Sequence, residues 1–438
     1  MTSSSEQKTG ITRRTFAAGV AATPLVAGLA GAVGRAPAVI RAQDQTEIHL
    51  IHPTVNAEWD GQLEKVVAGF AEANPSIKVN LEHRPGDQYW DKLQTEYAGG
   101  QAADVTSVNS DWIVPGASRG MFVDLNPLLE RDKVDQSDLW HDMTREWAWE
   151  GGMYGGILYA GGQNLYVNKD LLDAAGVPFP TADWTWDDLL DAGKKLTDES
   201  KQQFGIHFAP ISPPYWSCSF IHGAGGTVLN DAKDECTLNS AEARAGLQWI
   251  VDLIHTHKVM PVPAVASAGQ ENPFMTGKIA FYFGGGWDEG AIRASGFNWD
   301  FAPMPAHPTT GIKSVQLGSN AWSMISTSKH QDEAWELIKY LSGPEGAKGM
   351  MSYGIPGYTS IVESQEFKDI HAPQDISIPV SDFMDHGHDY YPTPDASEWW
   401  AAVEAELGPM WTGEDTVENS TQRATDRVND IFAQRGSI

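Results

Sequence analysis

Apolar and polar positions alternate along the chain in a way that predicts short strands separated by amphipathic helices. Leu63, Val66, Val67 and Phe70 recur at helical spacing and predict a helix over 60–73, ended by Pro75 just beyond it. The predicted strands are 47–51, 77–81, 103–108, 164–168 and 278–283, and the other predicted helices are 89–98, 170–175, 185–196, 240–255, 328–341, 398–411 and 414–432. Alternating strands and helices favour an α/β fold with largely parallel strand pairing.

Two of the predicted helices begin with a side-chain signature. Thr185 with Asp188, and Ser328 with Gln331, have the spacing of a capping box. In that motif the first and fourth residues exchange hydrogen bonds with each other's backbone N–H groups. We therefore expect both helices to be capped at their N-termini by these side chains.

The N-terminal segment has the features of an export signal. Arg13 and Arg14 form a twin-arginine pattern, and an Ala/Gly/Val-rich run follows from residue 17 to 38. Such a run is too poor in Leu and Ile for a membrane span, and its composition suits the twin-arginine route. We interpret residues 1–42 as a signal peptide, with cleavage favoured after Ala42 and Ala38 as the alternative. No cysteine precedes Cys218, so we expect no lipid anchor on a cysteine, whereas an uncleaved signal could still tether the protein.

The charge balance limits the classes of partner. The 438 residues carry a net charge of −28, and because residues 1–42 contribute +4 the remainder carries −32. A surface this acidic repels phosphate backbones and anionic lipid. We therefore expect no nucleic-acid partner. The 41% hydrophobic content is that of an ordinary globular protein, and the length suggests at least two domains.

Tryptophan is more frequent than either other aromatic residue, with 17 Trp against 15 Phe and 12 Tyr. We expect this excess to have a purpose beyond core packing. Ligands of open α/β sheets bind at the carboxyl ends of strands. Three predicted strands end in a loop that carries Trp beside polar residues or glycine: Asn56 and Trp59; Asn109, Asp111 and Trp112; Gly286 and Trp287.

Two further aromatic pairs stand beside loops. Tyr215 and Trp216 follow two prolines, and Trp399 and Trp400 open a helix. An indole ring offers a flat apolar face that matches the C–H face of a pyranose, and polar side chains around it can bind the hydroxyl groups. Neighbouring residues on a helix diverge by about 100°, so only one of Trp399 and Trp400 can face a given cleft.

Other kinds of chemistry find less support. The run from Asp385 to Asp389 contains His386 and His388, but a spacing of two is a poor metal-ligand signature, and we predict neither a metal nor a cofactor. The sequence contains no GxSxG, HExxH, P-loop or CxxC motif, so no enzyme class is indicated. Cys218 and Cys236 could form a disulfide outside the cytoplasm or remain thiols.

Four segments in a fixed order resemble a known family. They are Phe70–Val79, Tyr154–Leu172 with its strand Asn164-Leu165-Tyr166-Val167-Asn168, Gly277–Trp287, and Gly318–Gly346. Together they resemble the family 1 extracellular solute-binding proteins, the maltose-binding-like sugar receptors of ABC importers. The order of the segments, which extend over most of the chain after residue 42, makes the resemblance specific.

The resemblance implies a type II periplasmic-binding-protein fold, which is α/β with two lobes and three hinge crossings. Lobe 1 would comprise 43–160 and 319–352, and lobe 2 would comprise 161–315 and 358–438. The hinges would lie near 160–163, 315–318 and 352–358. Asn320 in the return crossing joins the predicted ligand residues, which otherwise are those already named at the strand ends and aromatic pairs.

The function implied is capture without catalysis. We expect a monomer at the outer face of the cytoplasmic membrane that binds a neutral carbohydrate and delivers it to the permease subunits of an ABC importer. The alternatives are a receptor for a polyamine, a peptide or another non-sugar solute, and an exported glycosidase or lyase.

Overall fold

Two mixed β-sheets, each flanked by helices, organise the chain in the computed structural model, which describes residues 45–140, 146–208, 215–263, 272–352, 354–389 and 391–435. The strands are β1 (Thr46–Pro53), β2 (Ile77–Arg84), β3 (Val105–Asn109), β4 (Ala148–Trp149), β5 (Gly152–Met153), β6 (Gly156–Tyr159), β7 (Gln163–Asn168), β8 (Phe204–His207), β9 (Ile279–Gly285), β10 (Trp299–Ala302), β11 (Val315–Gln316), β12 (Asn320–Met324) and β13 (Gly387–His388).

Sixteen α-helices lie within the described ranges. They are α1 (Ala57–Ala73), α2 (Tyr89–Ala98), α3 (Ser110–Ser118), α4 (Asn126–Asp132), α5 (Lys169–Ala175), α6 (Trp186–Leu196), α7 (Tyr215–Gly223), α8 (Ala241–His255), α9 (Glu289–Ala294), α10 (Gln331–Leu341), α11 (Pro344–Met350), α12 (Thr359–Val362), α13 (Gln365–His371), α14 (Ser377–His386), α15 (Ala396–Thr412) and α16 (Val417–Gln434).

The first sheet has the strand order β2-β1-β3-β12-β6, and we call it with its helices lobe 1. β1 pairs in parallel with β2 and β3, whereas β12 runs antiparallel to β3 and β6. The apolar face of α1 packs on this sheet through Leu63 and Phe70, which are fully buried beside Trp322. The apolar residues whose spacing predicted this helix therefore form the face that packs into the core of lobe 1.

The second sheet has the order β10-β7-β9-β8 and, with its helices, forms lobe 2. β8 and β9 are parallel, and β7 is antiparallel to both of its neighbours. The expectation of largely parallel sheets is therefore wrong, while the α/β class is confirmed. The antiparallel strand is β12 in the first sheet and β7 in the second. Each enters its sheet after the chain has crossed from the other lobe.

Three short stretches connect the two lobes, and they pair with one another. Ala160 bridges Ile355 and Gly162 bridges Leu317, while the N–H of Gly318 donates to the carbonyl of Gly161 at 2.9 Å. These bridges hold the passages from β6 to β7 and from β11 to β12 side by side with the segment after α11. The exact lobe boundaries and the hinge role of these stretches remain predictions.

Helix starts follow the sequence prediction in one case and depart from it in the other. Thr185 and Asp188 form the predicted capping box at α6. The box predicted for Ser328 and Gln331 is wrong, because α10 begins at Gln331. The Ser328 hydroxyl instead donates to Asp104 Oδ1 at 2.6 Å and ties the preceding turn to the neighbouring strand.

The tryptophan excess is explained mainly by packing. Thirteen of the 17 tryptophans are buried, and the expectation of a purpose beyond the core is wrong for most of them. Cys218 and Cys236 are both buried. None of the helices in the described ranges is long and apolar enough to cross a membrane, and the predicted signal peptide, residues 1–42, lies outside those ranges.

Candidate functional site

The start of α1 forms one corner of the predicted site in lobe 1. The Asn56 side-chain oxygen accepts from the N–H groups of Glu58 and Trp59 at 3.1 and 2.9 Å and so caps the helix. The Trp59 ring is only 1% exposed and stacks on His52, with ring centroids 4.4 Å apart. The ring is part of the lobe 1 core, and the contact of Trp59 with a ligand stays a prediction.

The end of β3 and the start of β12 place three polar side chains in one row. Asn109 lies opposite Asn320 in the strand register, and Asn320 lies opposite Tyr159 on the other side. The Asn320 amide donates to the Tyr159 hydroxyl at 2.6 Å. Burial raises the pKa of Tyr159, so the phenol stays neutral and can donate in turn. This row of neutral donors and acceptors lies at the edge of lobe 1 from which the chain crosses to lobe 2.

The first turn of α3 adds an acid and an aromatic ring to the same edge. Trp112 is half-buried and stacks on Trp90, with centroids 5.2 Å apart and planes 10° from parallel. The Asp111 side chain is half-buried as well, and burial raises its pKa to about 7. A carboxyl group in this state can change charge near neutral pH without moving.

The opposing edge in lobe 2 is built around the turn after β9, which begins at Gly286. A Cβ on Gly285 would lie 2.3 Å from the Trp287 ring, so glycine is needed there for the indole to lie over the strand end. Asp288 holds the turn, because its Oδ2 accepts from Gly285 N–H at 3.2 Å and from the Tyr282 hydroxyl at 2.8 Å. Trp287 is left 37% exposed, the most exposed tryptophan of the chain.

Trp216 lies beside Trp287, with ring centroids 5.7 Å apart and planes inclined by 46°. It is 8% exposed, and its carbonyl accepts from the Gln163 side-chain amide at 3.2 Å. The neighbouring predicted residue, Tyr215, begins α7, and its side chain lies outside what the structure describes. Two of the predicted indoles are thus brought together, one as a supporting ring and one as an exposed ring.

The corners built by α1 and α9 face each other across the gap between the lobes. A Cβ placed on Gly290 in lobe 2 would lie 3.4 Å from Glu58 Oε2 in lobe 1. Glu58 follows Asn56, and Gly290 follows Trp287 by one helical turn. Glu58 and Gly290 thus bring the start of α1 close to the start of α9, although the two helices arise from distant parts of the sequence.

The two tryptophans of α15 do not join this group. Trp399 is fully buried, and its indole N–H donates to the Thr393 hydroxyl at 2.8 Å. Trp400 is 6% exposed and packs against it, with centroids 4.3 Å apart. Both rings are part of the core of lobe 2, and the expectation that one of the two faces the cleft stays a prediction.

Two polar residues that the sequence reading did not include lie opposite the glycines that precede Trp287. Gln163 and Asn164 open β7 opposite Gly285 and Gly284 and are 0% and 5% exposed. Their side-chain oxygens have no hydrogen-bond partner among the described residues. Two amides at the start of a strand that is otherwise apolar were the signal for them, since buried amides normally require partners.

A cavity of about 390 Å³ lies between α3 and the segment that precedes α15. Trp149 and Glu146 line it on one side and Lys233 and Asp389 on the other. Among its described lining residues none is a predicted ligand residue, although Ser110, which stands between Asn109 and Asp111, lines it. The cavity therefore lies between the two halves of the molecule at the start of α3.

Sequence comparison finds relatives of similar length. The chain is 22% identical over 384 residues to the galactooligosaccharide-binding protein of Bacillus subtilis, which covers 84% of this chain and 86% of that protein. It is 25% identical over 313 residues to a putative binding protein of Brucella abortus, which covers 69% of this chain and 74% of that protein.

Solved structures agree with the fold. An ABC substrate-binding protein of Listeria monocytogenes in complex with cycloalternan superposes with a TM-score of 0.80 at 26% identity, covering 89% of this chain and all of that one. The maltose-bound MalE3 protein of T. maritima superposes with a TM-score of 0.77 at 20% identity, covering 88% and 99%. The profile of the family described as bacterial extracellular solute-binding protein matches residues 65–374, more than two thirds of the sequence. By this match and by its two-lobe α/β fold, the chain belongs to the bacterial extracellular solute-binding protein family.

Proposed function

We propose that this protein is the receptor of an ABC importer that captures a neutral sugar or oligosaccharide between its two lobes and delivers it to the permease. The observation that carries the proposal is the exposed indole of Trp287 at the end of the strand that pairs with Gln163 and Asn164, whose buried amide oxygens have no hydrogen-bond partner within the described part of the chain. The proposal is supported by relatives whose names specify galactooligosaccharide and cycloalternan as ligands.

The chemistry of the two edges suits a carbohydrate. The Trp287 ring can cover the apolar face of a pyranose, and amide oxygens can accept from its hydroxyl groups. On the facing edge Asn109, Asn320 and Tyr159 add neutral donors and acceptors. We propose as ligand contacts Asn56, Asn109, Asp111, Trp112, Tyr215, Trp216, Gly286, Trp287 and Asn320.

Closure of the lobes is part of the proposal. The crossings near 160–163, 315–318 and 352–358 would act as hinges between lobe 1 (43–160 and 319–352) and lobe 2 (161–315 and 358–438). The short approach of Gly290 to Glu58 supports a state in which the gap is narrow. A ligand that contacts both edges stabilises this state, and the permease would recognise it. Export by the twin-arginine route and action as a monomer complete the proposal.

The experiment is a thermal-shift screen of the purified protein against mono- and oligosaccharides, followed by calorimetry on those that raise the melting temperature. A receptor gives saturable stabilisation and no product, because ligand bound only to the folded state stabilises it by mass action. Polyamines and short peptides belong in the same screen, since the net charge of −28 favours cationic solutes. Stabilisation by these and by no sugar would replace the sugar assignment, and release of sugar fragments would identify an enzyme.

A further inference from the structure

A cluster of metal-ligating side chains in lobe 1 lies apart from the amides and indoles of the ligand site. His52 near the end of β1 and His83 near the end of β2 are direct partners in the parallel strand register. Their rings therefore project from the same face of the sheet, with centroids 6.1 Å apart. The two residues are far apart in the sequence, and only strand pairing reveals them as neighbours.

Helix α1 brings a carboxylate onto the same spot. Asp60 Oδ1 lies 3.5 Å from His83 Nδ1, and Glu64, one turn further along the helix, lies 3.9 Å from His83 Nε2. One ligand atom each from His52, Asp60 and His83 fall within 4.8 Å of one another. Two imidazoles and a carboxylate from three separate elements thus converge on a single point.

Three of the four histidine nitrogens are buried and have no hydrogen-bond partner among the described residues. His52 is 2% exposed, and its Nδ1 has no hydrogen-bond partner among the described residues, nor has either nitrogen of His83. Buried imidazole nitrogens normally have a partner, so a missing one points to a group that the protein atoms do not supply.

We propose that His52, Asp60 and His83 form a binding site for a divalent transition metal, with Zn²⁺ as the best match. Zinc takes imidazole nitrogen and carboxylate oxygen at about 2.0–2.2 Å in tetrahedral sites, which places ligand atoms roughly 3.3 Å apart. Side-chain rotations that move the ligand atoms by about 1–1.5 Å would bring them to that spacing. The fourth position falls to Glu64, which is 67% exposed and free to swing, or to water.

The ion would act as a clamp on the sheet and on α1. It would tie β1 and β2 to the first turns of the helix whose N-cap, Asn56, lies at the gap between the lobes. Because the His52 ring also stacks on Trp59, the metal would fix the corner of lobe 1 on which α1 stands. The site is structural in this proposal and needs no contact with the solute.

The test uses full-length protein without a polyhistidine tag and measures Zn²⁺ binding by equilibrium dialysis and by calorimetry. We expect one ion per chain for the wild type, at least tenfold weaker binding for His83→Gln and for Asp60→Asn, and no change for His330→Gln, an exposed histidine outside the cluster. Cobalt should give the intense visible absorption of a tetrahedral site in the wild type and lose it in His83→Gln.

Two results would overturn the proposal. One is the absence of stoichiometric Zn²⁺ binding by the wild type, and the other is equal binding by the wild type and both site variants. Circular dichroism identifies a variant that does not fold. Because Asp60 lies on α1 and His83 on β2, the comparison then rests on the variant that does fold. A rise in the melting temperature with Zn²⁺ that His330→Gln retains and Asp60→Asn loses would confirm the clamp.

Discussion

Replacing Trp287 with Ala should weaken ligand binding about tenfold without changing the fold. The side chain is 37% exposed, and a tryptophan of up to about 250 Å² then offers roughly 90 Å² to a ligand. A sugar face that covers about 60 Å² of it removes that area from water, which at about 25 cal/mol per Å² contributes ~1.5 kcal/mol. A loss of about 1.4 kcal/mol corresponds to a tenfold rise in Kd.

The assay is calorimetric titration with the sugar that stabilises the wild type most, and the control is Phe179→Ala. Phe179 is an aromatic residue with the same exposed fraction, 37%, that lies outside the site, so its removal should leave Kd unchanged. Trp149→Ala tests the neighbouring cavity. If Trp287→Ala binds within twofold of the wild type while Trp149→Ala binds poorly, the ligand lies in that cavity and our assignment of the site is refuted.

Four other predictions concern stability and chemistry. Trp216→Ala should lower the free energy of unfolding by about 3 kcal/mol in chemical denaturation, because the indole is buried; a loss below about 1 kcal/mol would contradict that packing. Because the pKa of Asp111 is raised, between pH 3.8 and about 7 the folded protein holds a proton that the unfolded chain has released. Stability therefore falls as pH rises through this range, and Asp111→Asn should make the fall in melting temperature shallower. Gly205→Ala should cost about 2 kcal/mol, because its Cβ would lie 2.4 Å from the backbone of α6, and a neutral effect on denaturation would show that the strand and helix can separate. Cys218 and Cys236 should both react with a thiol reagent after denaturation and hardly at all before it, since burial raises the pKa of both thiols; a count of none after denaturation would indicate a disulfide.

The elements that the sequence predicted well are those whose signal is local. Helix α1 was predicted from four apolar residues at helical spacing, and the structure buries that face. Helix α3 was not predicted, because Pro115 lies inside it and proline removes a backbone donor from a helix interior. Strand direction was predicted wrongly because it depends on where distant segments enter the sheet, as β12 does beside β3. No local pattern carries that information.

The candidate site was predicted only in part, for a related reason. Reading strand ends led to Asn109 and Trp287, and the family resemblance added Asn320; the contacts of all three with a ligand stay predictions. The same reading also selected Trp59 and Trp399, whose rings are in the core. A tryptophan beside polar residues looks the same in sequence whether its ring turns inward or outward, because the choice depends on neighbours such as His52 that lie on another strand or segment.

In the proposed site, the buried aromatic rings would contribute to recognition through the rigidity they give to the exposed one. Trp287 has the glycine backbone of β9 beneath it and the Trp216 ring beside it, and Asp288 fixes the turn on which it stands. A side chain that is already held in one position loses little conformational freedom when a ligand arrives, whereas immobilising a mobile one costs about 0.5–1.5 kcal/mol. That cost is comparable to the ~1.5 kcal/mol expected from covering the indole. An exposed tryptophan without this support would gain little affinity, which is why one presented ring requires several buried neighbours.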